Sequence, residues 1–382
     1  MKIRQKIKVE FDYNIYFTGD MFSSGGRILK EIFKDKNSRI MVFIDSAVSL
    51  EYPEVEKKLR LWFKNNPERG EYVIPRVKIK GGEWCKNDKK LQGRVARLLR
   101  DNSLDRHSFV VIIGGGAVLD TVGYFASITH RGLRQIRIPT TVLSQCDSGV
   151  GVKNGINYYG TKNYFGTFTP PFAVINDFNF LQTLGTRDIL SGAAEAFKVA
   201  IIKDRKFLNF LVNNSERFLK GDRKAIKKMI FTSARLHAEH ISTGQDPFET
   251  GSSRPLDFGH WSGHFIEVLT KYELRHGEAV ALGVVLDMII AKNLKLISAK
   301  EFTRVYNGLK NCGFNLWHPV MERRDRNGIL SIYRGLEEFR QHIGGELHLV
   351  MPDRLGKKCV IKSLPHDEIE KAVREMKNEN KK

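Results

Sequence analysis

FVVIIGGGAVLD, residues Phe109–Asp120, sets five apolar residues against three glycines and then opens an amphipathic stretch. The reading is a buried strand, a tight turn and a helix that starts at the glycines. In such a turn backbone N–H groups can approach a pyrophosphate, and the helix dipole favours its charge. Gly114, Gly115 and Gly116 supply the close approach, and Asp120 follows on the first helical turn. A glycine cluster alone marks only a turn, so the flanking sequence has to decide.

Outward from that turn, further short apolar runs occur at Arg39–Ile44, Ile136–Ile138 and Ala173–Ile175. Helical periods fill the gaps around residues 26–33, 55–63, 88–100 and 118–127. Continuous apolar strands separated by helices predict a mostly parallel sheet covered on both faces. Asp45 ends one strand with a carboxylate suited to ribose hydroxyls, and VKIKGGEWCK brings Glu83 and Lys86 after another. Together these features predict a dinucleotide site. Beyond about Leu181 the pattern becomes helical, over residues 189–202, 207–218, 223–240, 258–269, 279–296 and 300–311. One late strand is expected at Leu347–Met351, and 367–382 reads as a charged helix or frayed tail. The expected division is residues 1–182, α/β and Rossmann-like, and residues 183–382, all-helical.

The 382 residues carry 63 Lys+Arg against 43 Asp+Glu, a formal charge of +20. The excess is spread evenly, +11 over residues 1–182 and +9 over 183–382. No basic arm, zinc-finger spacing or RNP-type motif accompanies it, so nucleic acid is not the expected partner. No apolar run reaches the ~18 residues needed to cross a bilayer, because Asp287 interrupts the best one, so no membrane role is expected. The start has no uninterrupted apolar core of a signal peptide. Cys85, Cys146, Cys312 and Cys359 form no paired spacing, which suits a reducing compartment, and the expected location is the cytoplasm.

IPTTVLSQCDSGVGVKNGINYYGTKNYFGTF, Ile138–Phe168, is read as a long irregular segment rich in Thr, Ser, Gly and Asn. Its length marks it as functional, and Lys153 and Lys162 among glycines suit a phosphate or carbonyl. SGAAEAFK places Glu195 and Lys198 one turn apart on a helix of small residues. DFGHWSGHFIE places His260 and His264 at i, i+4, and RHGE opens a helix with His276. One Glu with two or three His from separate helices can form an open mononuclear metal site. The spacing lacks the Glu of HExxH, which excludes that peptidase pattern.

GGGAVLD, IPTTVLSQCDSGVGVKNGIN, GTKN, SGAAEAFK, DFGHWSGH and RHGEAVALG together resemble the signature segments of 3-dehydroquinate synthase and its relatives, the sugar phosphate cyclases. The resemblance runs from about residue 39 to 351. It implies a Rossmann-like domain followed by a helical one, a homodimer, bound NAD+ and a zinc or cobalt ion. Motif by motif, it puts Glu195, His260 and His276 on the metal. It puts Asp45, Glu83, Lys86, Gly115, Gly116, Asp120, Thr140 and Thr141 on the cofactor. Asp147, Lys153, Lys162, Asn163, Lys198 and His264 fall at the reacting centre, with Lys153 and Lys162 counted beside the cofactor too. Arg131, in HRG, matches an arginine that reaches the neighbouring subunit's substrate phosphate. The implied chemistry is alcohol oxidation that acidifies a neighbouring C–H, loss of phosphate, return of the hydride and intramolecular aldol closure.

The departures concern substrate. Where dehydroquinate synthases carry the Asn of LNxGH, this chain has Asp257, and Ser253 stands at the place of a carboxylate-binding arginine, with Arg254 one residue on. His237 takes the place of an upstream lysine, and GGKT has become Gly151-Val152-Lys153-Asn154. Losing two cationic partners disfavours a 2-keto acid. RPLDFGHWS, PFETGS and FRQHIGGELHL look like the branch that cyclises sedoheptulose 7-phosphate, including 2-epi-5-epi-valiolone synthases and ebo-type cluster proteins. In that branch Asp257 would accept from a substrate hydroxyl and Arg340 would contact phosphate. The expected activity is therefore an NAD+- and metal-dependent carbon–oxygen lyase acting on a phosphorylated sugar. The alternatives are a 3-dehydroquinate synthase, a metal-dependent polyol dehydrogenase, and a non-catalytic binding protein on the same scaffold.

Overall fold

The computed structural model describes residues 1–34, 38–243, 248 and 255–381. Among the described residues there are ten strands: β1 (Asn14–Thr18), β2 (Arg39–Asp45), β3 (Glu71–Ile79), β4 (Phe109–Gly114), β5 (Arg134–Pro139), β6 (Lys153–Tyr158), β7 (Thr161–Phe168), β8 (Ala173–Asp177), β9 (Leu349–Arg354) and β10 (Lys357–Ile361). Six of them form one parallel sheet in the order β1-β8-β5-β4-β2-β3. Phe43 on β2 stands opposite Ile112 on β4, and Ile112 opposite Arg137 on β5. Every residue of β4 is buried, the signature of a strand covered on both faces. Helices Lys89–Asp101 and Gly116–Ile128 cover one side through Leu91, Val95, Val118 and Val122, packed on Met41, Phe43, Val110 and Ile112. Asp88 caps the first of these by accepting from the amides of Lys90 and Leu91.

The chain leaves β2 towards β3 on one side, then crosses back to β4 and continues through β5 to β8 on the other. The order therefore reverses between β2 and β4, and the crevice at the carboxyl ends of such strands is where open α/β sheets bind ligands. Asp45 and Gly114 end those two strands.

The contacts divide the chain into two compact units, one of Met1–Pro139, Val152–Tyr159 and Asn163–Asn179, the other of Thr140–Gly151, Gly160–Lys162 and Phe180–Lys382. In the second unit, Ile189–Ile202 of helix Thr186–Lys203 and all but His276, Glu278 and the last two residues of helix His276–Asn293 are buried. Helices apolar on all sides belong at a core. They meet backbone to backbone, because a Cβ on Gly277 would stand 2.3 Å from the Ser191 carbonyl oxygen. Gly283 similarly admits the Gly259 carbonyl, where a Cβ would stand 2.1 Å away, and so seats helix His260–Leu269. Asp287 fixes that seat by accepting from the Gly259 amide at 2.9 Å and the Trp261 indole at 2.7 Å.

Three expectations need correction. Residues 138–168 are structured, with the short helix Val142–Cys146 and the pair β6 and β7 forming a separate two-stranded sheet. The carboxyl-terminal half is helix-rich and not all-helical, because β9 and β10 form an antiparallel hairpin. The stretch 207–218 is two helices, Arg205–Asn213 and Ser215–Leu219, broken at Asn214. Of the two readings of the last segment, the helix is the one present, His366–Glu379, and it buries Ile369, Val373 and Met376. Among the described residues no helix is long and apolar enough to cross a membrane.

Candidate active site

In the α/β unit the glycine turn ends β4, and Gly115 precedes helix Gly116–Ile128 without any side-chain cap. The first N–H groups of that helix are thus left to a ligand or water. Asp45 sits beside it, because a Cβ on Gly114 would stand 3.3 Å from the Asp45 Cβ. Gly81 comes so close that a Cβ there would meet the Asp45 carboxylate at 2.1 Å. Burial pushes the Asp45 carboxyl up, and hydrogen bonds from the amides of Ala47 and Gly81 pull it back in part. The bare helix start and the adjoining acid at the switch point fit the pyrophosphate and ribose of a dinucleotide.

Around this turn runs one connected polar chain. Lys86 is buried and donates to Asp120 Oδ2 at 2.7 Å and to the Asn163 side-chain oxygen. Asn157 donates to Glu83 Oε1 at 3.1 Å and accepts the Asn163 amide at 2.8 Å. Asn163 needs that grip because it holds φ +52°, the left-handed region. Burial lowers the Lys86 ammonium's affinity for its proton, but Asp120 and Glu83 outweigh this and leave it raised. Lys153 is exposed at the start of β6. Arg131 is exposed as well, in a turn where His130, Arg131 and Gly132 all have positive φ.

In the helical unit three helices converge. Glu195 Oε1 lies 3.0 Å from His276 Nε2 and 3.3 Å from His260 Nε2. Each imidazole has its Nδ1 engaged elsewhere, His260 with the Phe258 carbonyl at 3.2 Å and His276 with Glu267 Oε2 at 2.9 Å. With the Nδ1 atoms so engaged as donors, both Nε2 atoms face the carboxylate, where a proton or a cation can bridge them. Donors on one tetrahedral zinc at ~2.0–2.1 Å stand roughly 3.3–3.4 Å apart, so this set fits a divalent cation. His264 joins the cluster: one nitrogen each of His260, His264 and His276 lie within 4.8 Å of one another.

The charges around the cluster are strongly coupled. Burial raises the Glu195 carboxyl, yet Lys198, at 2.5 Å, and the two histidines hold it well below its usual range. Burial and the repulsion of Lys162, His260 and His276 keep His264 neutral, well below its ordinary 6.5. Burial likewise pulls His276 down, but Glu267 overcomes this and lifts it to about 9. Asp147 pairs with His237 Nδ1 at 2.6 Å. Burial favours its neutral form, while Lys198 and His237 keep it ionised far below the usual range. Burial works against the Lys198 ammonium too, and Glu195, Asp147 and Asp257 reverse that and keep it charged. Thr140 is buried, and the Thr141 hydroxyl is used in a capping box with Ser144. Lys162 donates to Glu267 at 2.6 Å. Arg340 is paired with Glu337, and Ser253 and Arg254 lie outside the described residues.

Residues 76–191 match the model of the 3-dehydroquinate synthase N-terminal domain, and residues 192–331 that of its C-terminal domain. The 2-epi-5-epi-valiolone synthase of Streptomyces glaucescens is 33% identical over 85% of this chain and 81% of its own length. The chain belongs to the 3-dehydroquinate synthase family. The 3-dehydroquinate synthase of Thermodesulfovibrio yellowstonii is 34% identical over 72% of this chain and 76% of that one. In fold, the chain is similar to ValA, the 2-epi-5-epi-valiolone synthase of Streptomyces hygroscopicus, whose structure holds NAD+ and Zn2+. The TM-score is 0.86 at 24% identity, over 99% of this chain and 100% of that one.

Within this family member, two residues of the clusters escaped the sequence reading. Glu267 follows His264 by three residues on one helical face, so the signal was its i+3 and i+7 spacing from His264 and His260. Asn157 had no such signal, because its role depends on the β6–β7 turn bringing it beside Asn163.

Proposed function

We propose that this chain is a sugar phosphate cyclase that uses NAD+ and one divalent cation, zinc or cobalt, to convert sedoheptulose 7-phosphate into a carbocycle and inorganic phosphate. In this reading Asp45 and the Gly114–Gly116 turn hold the dinucleotide, and Glu195, His260 and His276 hold the cation. The chemistry these groups supply when bound is reversible hydride acceptance and polarisation of a substrate oxygen.

The remaining work belongs to the chain's own side chains. Lys198, kept charged by its three carboxylate neighbours, donates hydrogen bonds to substrate oxygens on which negative charge builds up. His264 is neutral and therefore able to take a proton and return it during ring opening and closure. Lys153, Lys162 and Asn163 hold the phosphate until it leaves with the C–O bonding pair. Arg131, exposed on its strained turn, serves the neighbouring subunit of a homodimer.

The observation that carries the substrate choice is the charge around Lys198. Glu195, Asp147 and Asp257 all act on it, and His237 is committed to Asp147. With Glu195 given to the divalent cation, a substrate carboxylate beside Lys198 would still face Asp147 and Asp257, a costly arrangement for a buried charge. A neutral hydroxymethyl end meets acceptors suited to its O–H groups. The second reading, 3-dehydroquinate synthase, is supported by the matching domain models and by relatives of that name at equal identity.

The two separate on incubation of the protein with NAD+, Zn2+ or Co2+ and each seven-carbon phosphate ester in turn. Phosphate release and a seven-carbon carbocycle by mass spectrometry are expected from sedoheptulose 7-phosphate. Turnover of the heptulosonate 7-phosphate alone overturns the choice.

A further inference from the structure

Glu267 is almost wholly buried, with a side-chain exposure of 3%, and one of its oxygens takes two donors. Oε2 accepts from Lys162 Nζ at 2.6 Å and from His276 Nδ1 at 2.9 Å, and Lys162 Nζ stands only 3.5 Å from that same nitrogen. An ammonium and an Nδ1–H this close compete as donors for one acceptor, so the carboxylate between them decides both positions. Take it away, and two consequences follow. His276 loses the acceptor that keeps its proton on Nδ1, and with it the reason for its Nε2 lone pair to face Glu195 Oε1. Lys162 loses the anchor that keeps its ammonium in the helical unit.

We infer that Glu267 is a positioning residue which presents His276 to the divalent cation and, through the same oxygen, fixes the ammonium of Lys162. This inference rests on the metal site of the proposed function. It adds a shared tether: the lysine proposed for phosphate and the histidine proposed for the cation hang on one carboxylate oxygen. A carboxylate behind a ligating histidine fixes its ring and raises its basicity, and losing such a partner typically weakens metal binding about 10–100-fold.

The test uses metal-free full-length protein titrated with Co2+, followed by its visible absorption and by competition with a chelator, with thermal melting as the check on folding. Glu267→Gln keeps the shape and an acceptor oxygen but removes the negative charge that the two donors share. Glu267→Asp keeps the charge and withdraws it by one methylene, and serves if the Gln variant melts too low. Either folded variant is expected to bind Co2+ roughly 10–100-fold more weakly than wild type. Its spectrum should be unchanged once saturated, since the three ligands remain. A raised KM for the phosphorylated substrate should accompany the weaker binding, because Lys162 is released. Wild-type affinity for Co2+ in both folded variants overturns the inference. Failure of the wild-type protein itself to bind Co2+ overturns the metal reading, and this one falls with it.

Discussion

The polar cluster at the glycine turn and the one in the helical unit follow opposite electrostatic plans. At the turn, opposites are matched within the chain: Lys86 meets Asp120 and Asn163, and Glu83 meets Asn157. What is left open there is backbone, the uncapped start of helix Gly116–Ile128. Among the helices Lys198 and Lys162 also meet carboxylates, but there two imidazole Nε2 atoms converge in addition on one carboxylate oxygen. A matched network plus bare amides can receive an anionic cofactor without rearranging its charges. A convergence of lone pairs requires a cation or a proton. The first kind of site is therefore an element of the fold, and the second is a site whose own stability depends on what it holds.

The strongest way to break this contrast is Glu195→Gln. It removes the anion at the convergence while preserving shape, and several kcal/mol of transition-state stabilisation should go with it. Turnover is expected to fall by about 10³-fold or more. Wild type should gain roughly 2.7 kcal/mol of stability from metal at 100 times its Kd, seen as a higher Tm, and the variant should gain little. An unchanged metal-dependent Tm shift in the variant would contradict the assignment.

Lys86→Met tests the other side. Removing one partner of a buried pair leaves Asp120 exposed to desolvation without its cation, which should cost about 3–5 kcal/mol in urea unfolding. The double change Lys86→Met, Asp120→Asn should recover part of that loss. If the single variant is as stable as wild type, the network at the turn is not an element of the fold.

A smaller effect sharpens the comparison through pH. Burial pushes the Asp287 carboxyl from 3.8 up to about 7, against the hydrogen bonds from Trp261 and Gly259. Between those values the folded protein keeps a proton that the unfolded chain has released. Stability from this group therefore falls as pH rises from about 4 to about 7, then levels off. The stability difference between wild type and Asp287→Asn should shift in the variant's favour across that window, by at most on the order of 4 kcal/mol. Parallel pH profiles for the two proteins would show that Asp287 does not titrate there.

The sequence showed the sheet's centre and not its edges. β2 and β4 are legible because both faces are covered and their residues are almost continuously apolar, whereas β5, RQIRIP, shows only at Ile136–Ile138. β1, NIYFT, is half-exposed at the sheet's edge, and β6 and β7 are rich in Gly, Asn and Tyr, so none of them carries an apolar period. Glu195, His260 and His276 were legible as residue types in a motif. Their convergence was not, since it depends on the close helix contacts at Gly277 and Gly283. Glu267 shows the same limit: its helical spacing is in the sequence, but its two donors come from residues 105 positions upstream and nine downstream.

The central claim is that the hydride borrowed from the substrate is returned and phosphate is what leaves. One reaction measures both: sedoheptulose 7-phosphate with NAD+ and metal, with inorganic phosphate and absorbance at the NADH band followed together. The account predicts one phosphate released per substrate consumed and no accumulation of NADH. NADH rising in step with substrate loss, with the phosphate ester intact, would contradict it and make the protein a polyol dehydrogenase.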